Sequence, residues 1–191
     1  MSEPVLAAKS RSTLRKLGAL ALAGAAVLLL AGCQTKAQIA ACPVANVLAN
    51  TADLYVFKKG MENDPSAEMY HVAVTGVHLS CDFDKEEGTT DSDIDVEFTA
   101  TRAPTGDAAN YTVPYFIASV LNGADVQSKK ILATPFSFAP GEATVTFTAN
   151  MPRFHTKFAN GKKPYEYGIL AGIQLTREEL EYANKRRGLT P

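Results

Sequence analysis

The amino-acid sequence predicts an all-β fold, an antiparallel seven-stranded β-sandwich of the immunoglobulin or fibronectin type with a short C-terminal helix. Two observations support this prediction. Between residues 51 and 175, short segments in which apolar and polar side chains alternate are separated by Gly, Pro, Asn and Asp turn residues. No helical pattern interrupts these segments. The sequence therefore divides into a sandwich domain over 51–175 and a helix with a short tail over 176–191.

The first two predicted strands differ in regularity. Residues 51–58 form a short strand, and residues 69–83 form a long one after a run of turn residues. The apolar alternation of the long strand changes parity at Gly76, which predicts a one-residue bulge with a positive φ at the glycine. Such a bulge keeps one apolar face continuous and places His71 and His78 together on the outer face.

The middle of the domain contains the clearest strand. Over residues 91–100, the apolar side chains at 94, 96, 98 and 100 alternate with Asp91, Asp93, Asp95, Glu97 and Thr99, which is typical of a half-buried antiparallel strand. Residues 115–121 are apolar on both faces and are predicted to be central in a sheet. Asn122-Gly123 follows as a two-residue turn that needs positive φ at both positions, so residues 115–131 are predicted to form a hairpin.

The last part of the domain contains two further strands and the helix. Residues 144–149 alternate cleanly, residues 151–164 are predicted to form a long loop, and residues 165–175 form the last strand. Thr176 and Glu179 then match the capping box of a helix N-terminus. The sequence therefore predicts that the C-terminal helix begins after Thr176.

The N-terminal segment carries the most specific motif of the chain. A basic region precedes an uncharged apolar run, and the run ends in Leu30-Ala31-Gly32-Cys33. This motif resembles the lipobox of bacterial lipoproteins. The resemblance implies a signal peptide over 1–32, acylation of Cys33 with fatty acids such as palmitate, and a lipidated tether over 33–50.

The lipoprotein resemblance also implies a location. At about 0.8 kcal/mol per buried methylene group, more than one acyl chain gives stable membrane residence. In this family Gln34, directly after the acylated cysteine, is compatible with export to the outer membrane, with the domain in the periplasm. The strand pattern and residues 168–180 are also similar to uncharacterised bacterial envelope lipoproteins. An ordinary cleaved signal peptide and a single transmembrane helix remain alternatives, although the apolar run is shorter than the roughly 20 residues that span a bilayer.

The charge balance argues against nucleic acid as a partner. The chain has 19 basic and 20 acidic residues, and four of the basic but one of the acidic residues lie in the predicted signal peptide. The mature chain is therefore more acidic than the whole chain, whose formal net charge is −1. A general nucleic-acid binder would need a basic surface to neutralise phosphates.

The cysteines leave one pair after acylation. The chain has three cysteines, so Cys42 and Cys81 remain when Cys33 is lipidated. In an oxidising envelope this pair predicts a disulfide. The alternative is that Cys81 is a buried apolar residue and Cys42 a free thiol near the tether, because sequence does not show whether their Cα atoms approach within about 7 Å.

Acidic residues cluster most densely over 82–97, around one predicted hairpin. Calcium takes about six to eight oxygen ligands, so one interpretation is a metal site formed by Asp82, Asp84, Asp91 and Asp93. The segment departs from an EF-hand loop, because Glu87 replaces the turn glycine and Asp93 the closing glutamate. A second interpretation is a solvated strand face whose charges discourage edge pairing. A third is a carboxylate pair for glycoside hydrolysis.

A second candidate site lies in the predicted loop over 151–164, where basic side chains alternate with aromatic ones. Such a loop could bind an anionic headgroup, a glycan phosphate or an acidic partner protein. It could equally be an exposed loop held to the domain by its two phenylalanines. The residues of this candidate anion-binding or partner-binding site are Arg153, His155, Lys157, Lys162 and Lys163.

These patterns predict a membrane-anchored envelope lipoprotein whose sandwich is a non-catalytic binding or assembly module. The sequence contains no Gly-x-Ser-x-Gly elbow or glycine-rich phosphate loop, and its three histidines lack metal-ligand spacing. We therefore expect no catalytic residue and no cofactor other than the calcium alternative. The expected partners are the lipid bilayer, through the acyl chains on Cys33, and an envelope protein or glycan. The alternative functions are an envelope hydrolase with paired carboxylates and a calcium-stabilised structural domain.

Overall fold

The computed structural model describes residues 42–62, 64–104 and 106–189, and this part of the chain contains eight β-strands and one α-helix. Cys33 and its lipobox lie outside the described residues. The elements are β1 (Val44–Val47), β2 (Asp53–Phe57), β3 (Glu68–Asp84), β4 (Thr89–Thr101), β5 (Ala109–Leu121), β6 (Asp125–Phe138), β7 (Thr144–Lys157), β8 (Tyr167–Ile173) and α1 (Arg177–Arg187).

The strands form two four-stranded sheets that share one hydrophobic core. One sheet has the strand order β2-β3-β4-β7 and is wholly antiparallel. The other has the order β1-β8-β5-β6 and is mixed, because β1 pairs with β8 in parallel. Val72, Phe98, Ile117 and Ile169, two from each sheet, are completely buried in the common core. The predicted all-β class with a C-terminal helix is confirmed, whereas the prediction of a wholly antiparallel fold is wrong.

The additional strand, β1, explains why the described part contains eight strands where seven were predicted. It lies within the segment over 33–50 that was assigned to the tether. Its four residues pair in register from Val44 with Gly168 to Val47 with Ala171. A strand of four residues shows only two periods of alternation, and its distant parallel partner leaves no local turn signal in the sequence.

The bulge predicted in β3 is present, but the reason given for its glycine is wrong. Val74 pairs with Phe98 and Gly76 pairs with Glu97, so Thr75 is the extra residue. The buried side chains of β3 before the bulge and the partly buried ones after it therefore share one face. Gly76 does not have a positive φ. A Cβ atom at this position would lie 2.9 Å from the carboxylate oxygen of Glu97, which is the end of a flexible side chain.

The hairpin between β5 and β6 matches the sequence prediction. Asn122 and Gly123 have φ values of 54° and 78°, as a two-residue turn with two positive φ angles requires. β5 lies between β8 and β6, and residues 115–120 are all buried. The apolar character of both faces therefore does indicate a central strand.

β7 is longer than predicted, and the predicted loop over 151–164 is wrong for its first seven residues. The strand continues to Lys157 through a bulge at which Pro152 and Arg153 together face one residue of β4. Arg153 has a φ of 52°. Because β7 is an edge strand, it can accommodate a proline at a bulge without losing the sheet.

The C-terminal helix begins where the capping box predicted. The Glu179 N–H donates to Thr176 Oγ1 over 3.3 Å, and the Thr176 N–H donates to Glu179 Oε2 over 2.7 Å. Gly188 ends the helix with a φ of 69°. Among the described residues, no helix has the length and apolar character needed to cross a membrane.

A disulfide links the start of the described chain to the antiparallel sheet. It joins Cys42, two residues before β1, to Cys81 in β3, with the two Cα atoms 5.9 Å apart. Because β1 belongs to the mixed sheet, this bond connects the two layers of the sandwich covalently.

Candidate functional site

The outer face of β4 carries the acidic residues that the sequence analysis singled out. Asp91, Asp93, Asp95 and Glu97 alternate with buried side chains along the strand, as predicted. Each has a partner on a neighbouring strand. Asp91 Oδ1 lies 2.8 Å from His155 Nδ1, and Asp95 Oδ1 accepts a hydrogen bond of 2.8 Å from Asn150. The acidic residues of β4 therefore contact polar groups on the neighbouring strands.

The turn between β3 and β4 uses one of the predicted metal ligands. Asp84 Oδ1 accepts hydrogen bonds of 2.8 Å and 2.9 Å from the N–H groups of Glu86 and Glu87. This carboxylate therefore caps the turn. Asp82 lies directly opposite Asp91 in the sheet, which places two like charges side by side on the surface.

The basic candidate site is divided by the structure. Arg153, His155 and Lys157 lie on β7, next to β4, where the Arg153 N–H donates to Asp93 Oδ1 over 3.0 Å. Lys162 and Lys163 lie in the segment after β7. There Glu166 accepts hydrogen bonds from the Lys162 ammonium group over 2.9 Å and from the Lys163 N–H over 2.7 Å.

An open depression of about 990 Å³ brings the acidic candidates together with part of the basic set. Two candidate sites that are about 60 residues apart in sequence thus form one surface, because β4 and β7 pair. The candidate residues that line this depression are Asp82, Asp84, Asp91, Asp93, Arg153 and His155. Within residues 42–62, 64–104 and 106–189, no group of three or more His, Cys, Asp or Glu side chains is close enough to hold a metal ion.

Sequence reasoning missed a charged cluster at the other end of the antiparallel sheet. Asp53 in β2 is only 5% exposed, and its carboxylate contacts His71 Nε2 over 2.8 Å. Arg187 in α1 donates to the second oxygen of the same carboxylate. Tyr55 stacks on the His71 ring, with the centroids 4.4 Å apart. The cluster fastens the C-terminal helix to the outer face of the sheet.

The environment of Asp53 shifts its pKa. Burial alone would raise the pKa of this carboxyl group, but hydrogen bonds from His71 and Arg187 and the charge of Arg187 hold it below its ordinary value. The pKa of Tyr55 is raised, first by burial and then by the nearby Asp53 charge. The carboxylate is therefore ionised at neutral pH although it is almost completely buried.

One signal in the sequence could have revealed this cluster. Leu54 and Val56 form one apolar face of β2, while Asp53, Tyr55 and Phe57 form the other. Aromatic residues on the second face indicate that something covers it, and a carboxylate beneath such a cover needs a basic partner. The sequence alone does not show which basic residue arrives there.

A carboxylate pair for hydrolysis requires a cleft in which one acid has a raised pKa. In the described part, every carboxyl group with a resolved shift has a lowered pKa. The causes are hydrogen bonds, which at Asp53 outweigh the larger single effect of burial. These groups are Asp53, Glu62, Asp64 and Glu166.

No family model, no curated protein and no solved structure matches the chain. The geometry described above is therefore the observation that bears on function.

Proposed function

We propose that this chain is a lipid-anchored protein of the bacterial cell envelope whose sandwich is a non-catalytic binding module. We further propose that it binds its partner by adding a strand to the free edge of β6. The outer membrane, with the domain in the periplasm, is the proposed location. The immunoglobulin or fibronectin type remains a proposal for the sandwich.

Two features support the anchor and the compartment. The sequence Leu30-Ala31-Gly32-Cys33 resembles a lipobox, with Cys33 as the acylated residue. The disulfide between Cys42 and Cys81 is a bond that persists in oxidising compartments such as the periplasm.

The exposed edge of β6 carries the proposal for binding. β6 is the last strand of the mixed sheet, and all residues over 125–131 are exposed. The carbonyl of Pro114 accepts a hydrogen bond from Gln174, on the β8 side of β5. The residue of β6 opposite Pro114 is Ala133, so its N–H and C=O groups point away from β5. By the same alternation, Lys129 and Ile131 also direct their backbone groups to the free edge.

The side chains of this edge indicate the chemistry of the partner strand. Val126 and Ile131 are 63% and 62% exposed, and exposed apolar side chains on an edge strand favour pairing with another chain. Lys129 and Lys130 lie between them and carry positive charge. An extended segment that combines apolar and acidic side chains fits this edge best. Two copies of β6 pairing with each other would bring these lysines close together, which disfavours a homodimer through this edge.

Pro135 shows how the edge can be blocked without damage to the sheet. It occupies the same alternating position as Ile131 and Ala133, so its missing N–H faces the free edge. An Ala133→Pro substitution would therefore remove one outward donor and leave the ladder to β5 intact. Ala133→Thr changes the side chain but keeps the donor, and it is the matched control.

The test uses the full chain in intact cells, with a photo-crosslinking residue at position 131. A specific crosslinked product that is lost with Ala133→Pro and retained with Ala133→Thr would support strand addition. Equal products in both variants would refute it. The anchor is tested separately with palmitate labelling, which should be lost in Cys33→Ala. Label retained by that variant would refute the lipoprotein proposal.

A further inference from the structure

A groove of about 370 Å³ lies between β2 and the first turns of α1. Three aromatic rings form part of its walls, and every charged side chain in its described lining is a carboxylate. These residues are Tyr55, Phe57, Tyr182, Glu62, Glu178 and Glu179. Aromatic rings beside carboxylates are a combination that favours a cation.

Tyr182 is the centre of the aromatic wall. Its ring centroid lies 5.0 Å from that of Phe57 at an interplanar angle of 83°, and 5.4 Å from that of Tyr55 at 70°. Rings at such angles present their faces in different directions, as aromatic cages for ammonium groups do. The Tyr182 hydroxyl is buried and has no hydrogen-bond partner among the described residues.

The same aromatic cluster already holds one cation of the chain. The guanidinium carbon of Arg186 lies 5.0 Å from the ring centroid of Tyr55 and 6.0 Å from that of Tyr182. Arg186 does not line the groove. The cluster thus shows cation–π contacts outside the groove, while the groove itself has no basic group in its described lining.

Each of the three carboxylates of the groove has a local structural role, and none of these contacts is with a basic side chain. Glu179 is used in the capping box of α1. The Gly60 N–H donates to Glu62 over 2.9 Å and holds the pKa of Glu62 below its ordinary value, so this group is ionised at neutral pH. Glu178 lies in the first helical turn and offsets the positive end of the helix dipole. The groove therefore has a net negative charge.

We propose that this groove binds an organic ammonium ion, with the rings of Phe57 and Tyr182 against its alkyl groups and with Glu62 and Glu178 balancing its charge. Ring carbons cannot replace the oxygen ligands of a hard metal ion. A neutral apolar molecule would desolvate the carboxylates without a counter-charge. The groove is separate from the β6 edge, so this inference does not depend on the function proposed above.

The first test is calorimetric titration of the full chain in a non-ionic maltoside detergent. Choline chloride is the probe, and 3,3-dimethylbutan-1-ol, which has the same shape without the charge, is the control. We expect a Kd for choline on the order of 1 mM and binding of the neutral alcohol at least about tenfold weaker. Lysine, tested in parallel, distinguishes a preference for primary from quaternary ammonium groups. Equal binding of choline and the alcohol, or no binding of either cation, would overturn the proposal.

Variants then locate the site. Tyr182→Leu should weaken binding about tenfold or more, whereas Tyr182→Phe keeps the ring and should stay within about twofold of the unmodified chain. Glu178→Gln should weaken binding about threefold. Glu181→Gln removes the same charge from the same helix outside the groove and should leave the Kd unchanged. If Tyr182→Leu does not fold, the Glu62→Gln and Glu178→Gln double variant takes its place, and unchanged binding in that variant would also overturn the proposal.

Discussion

Two histidine–aspartate pairs lie at opposite ends of the outer face of the antiparallel sheet. Both have a nitrogen–oxygen distance of 2.8 Å. At the helix end, the side chains of His71 and Asp53 are 23% and 6% exposed, whereas those of His155 and Asp91 at the hairpin end are 57% and 56% exposed. The difference comes from α1, which covers only the first pair. The same contact should therefore contribute a different amount to the free energy of unfolding at each end.

Burial changes what the loss of one partner costs. At the hairpin end, water solvates whichever group remains, so an exposed pair contributes between zero and about 1 kcal/mol. At the helix end, removal of Asp53 would leave the ring of His71 beneath the helix without its acceptor, and the guanidinium of Arg187 would keep only the Ala49 carbonyl. Only the helix end should therefore depend on its ion pair for stability.

The hairpin end is stabilised by different contacts. Cys81 near the end of β3 is joined to Cys42, and the turn that follows is closed by the carboxylate of Asp84. The disulfide and the local turn stabilise the hairpin end, as the charged cluster stabilises the helix end. The two ends should therefore respond to different substitutions.

The largest expected effect comes from removal of the disulfide. The Cys42→Ser and Cys81→Ser double variant should lower the free energy of unfolding by about 3 to 4 kcal/mol, because the bond closes a loop between residues 39 positions apart. Urea denaturation of the full chain measures the change. Addition of a reductant to the unsubstituted chain should give a similar loss. If neither treatment changes the midpoint, the hairpin end is not held by this bond.

The next effect compares the two histidine–aspartate pairs directly. Asp53→Ala should destabilise the fold by about 3 kcal/mol, since it breaks a buried charged cluster. Asp91→Ala removes the same side chain from the exposed pair and should cost about 0.5 kcal/mol or less. Thermal unfolding followed by circular dichroism measures both. Equal losses of stability in the two variants would show that burial under α1 does not determine how much the pair stabilises the fold.

The sequence predicts the faces of this sheet better than it predicts the contacts on them. The alternation of β4 places its carboxylates outward, and the parity change in β3 locates the bulge near Gly76. Neither pattern shows that β7 lies beside β4, which is what brings His155 to Asp91. Such pairings depend on the register between strands distant in sequence.

The sequence does not reveal the charged cluster at the helix end, for a related reason. Its members come from β2, β3 and the last turn of α1, and only the packing of the helix brings Arg187 to Asp53. Gly172 gives a further example. A Cβ atom there would clash with Thr51 and Phe116, so this glycine is required by a close approach that no local pattern reveals.

Acidification should affect the helix end in a predictable direction. The pKa of Asp53 is lower in the folded chain than in the unfolded chain, so its contribution to stability is complete above the unfolded pKa of about 4. That contribution is lost as the pH falls through the folded pKa. We expect the unfolding free energy of the unsubstituted chain to fall between about pH 5 and pH 2 more steeply than that of Asp53→Asn. Parallel pH profiles of the two proteins would mean that the cluster does not lower the pKa of Asp53.

The smallest expected effect concerns calcium at the hairpin end. A site with a Kd of about 10 μM would stabilise the fold by roughly 2.7 kcal/mol at millimolar calcium, which corresponds to several degrees of melting temperature. The carboxylates of Asp84, Asp91 and Asp93 already accept hydrogen bonds from the turn, from His155 and from the Arg153 N–H.

We therefore expect the same melting temperature in calcium chloride, in magnesium chloride and in sodium chloride of matched ionic strength. A rise specific to calcium that disappears in Asp84→Asn or Asp93→Asn would contradict this expectation. It would also change the comparison between the two ends. A bound cation would then stabilise the exposed hairpin by electrostatic contacts as strongly as the buried cluster stabilises the helix end.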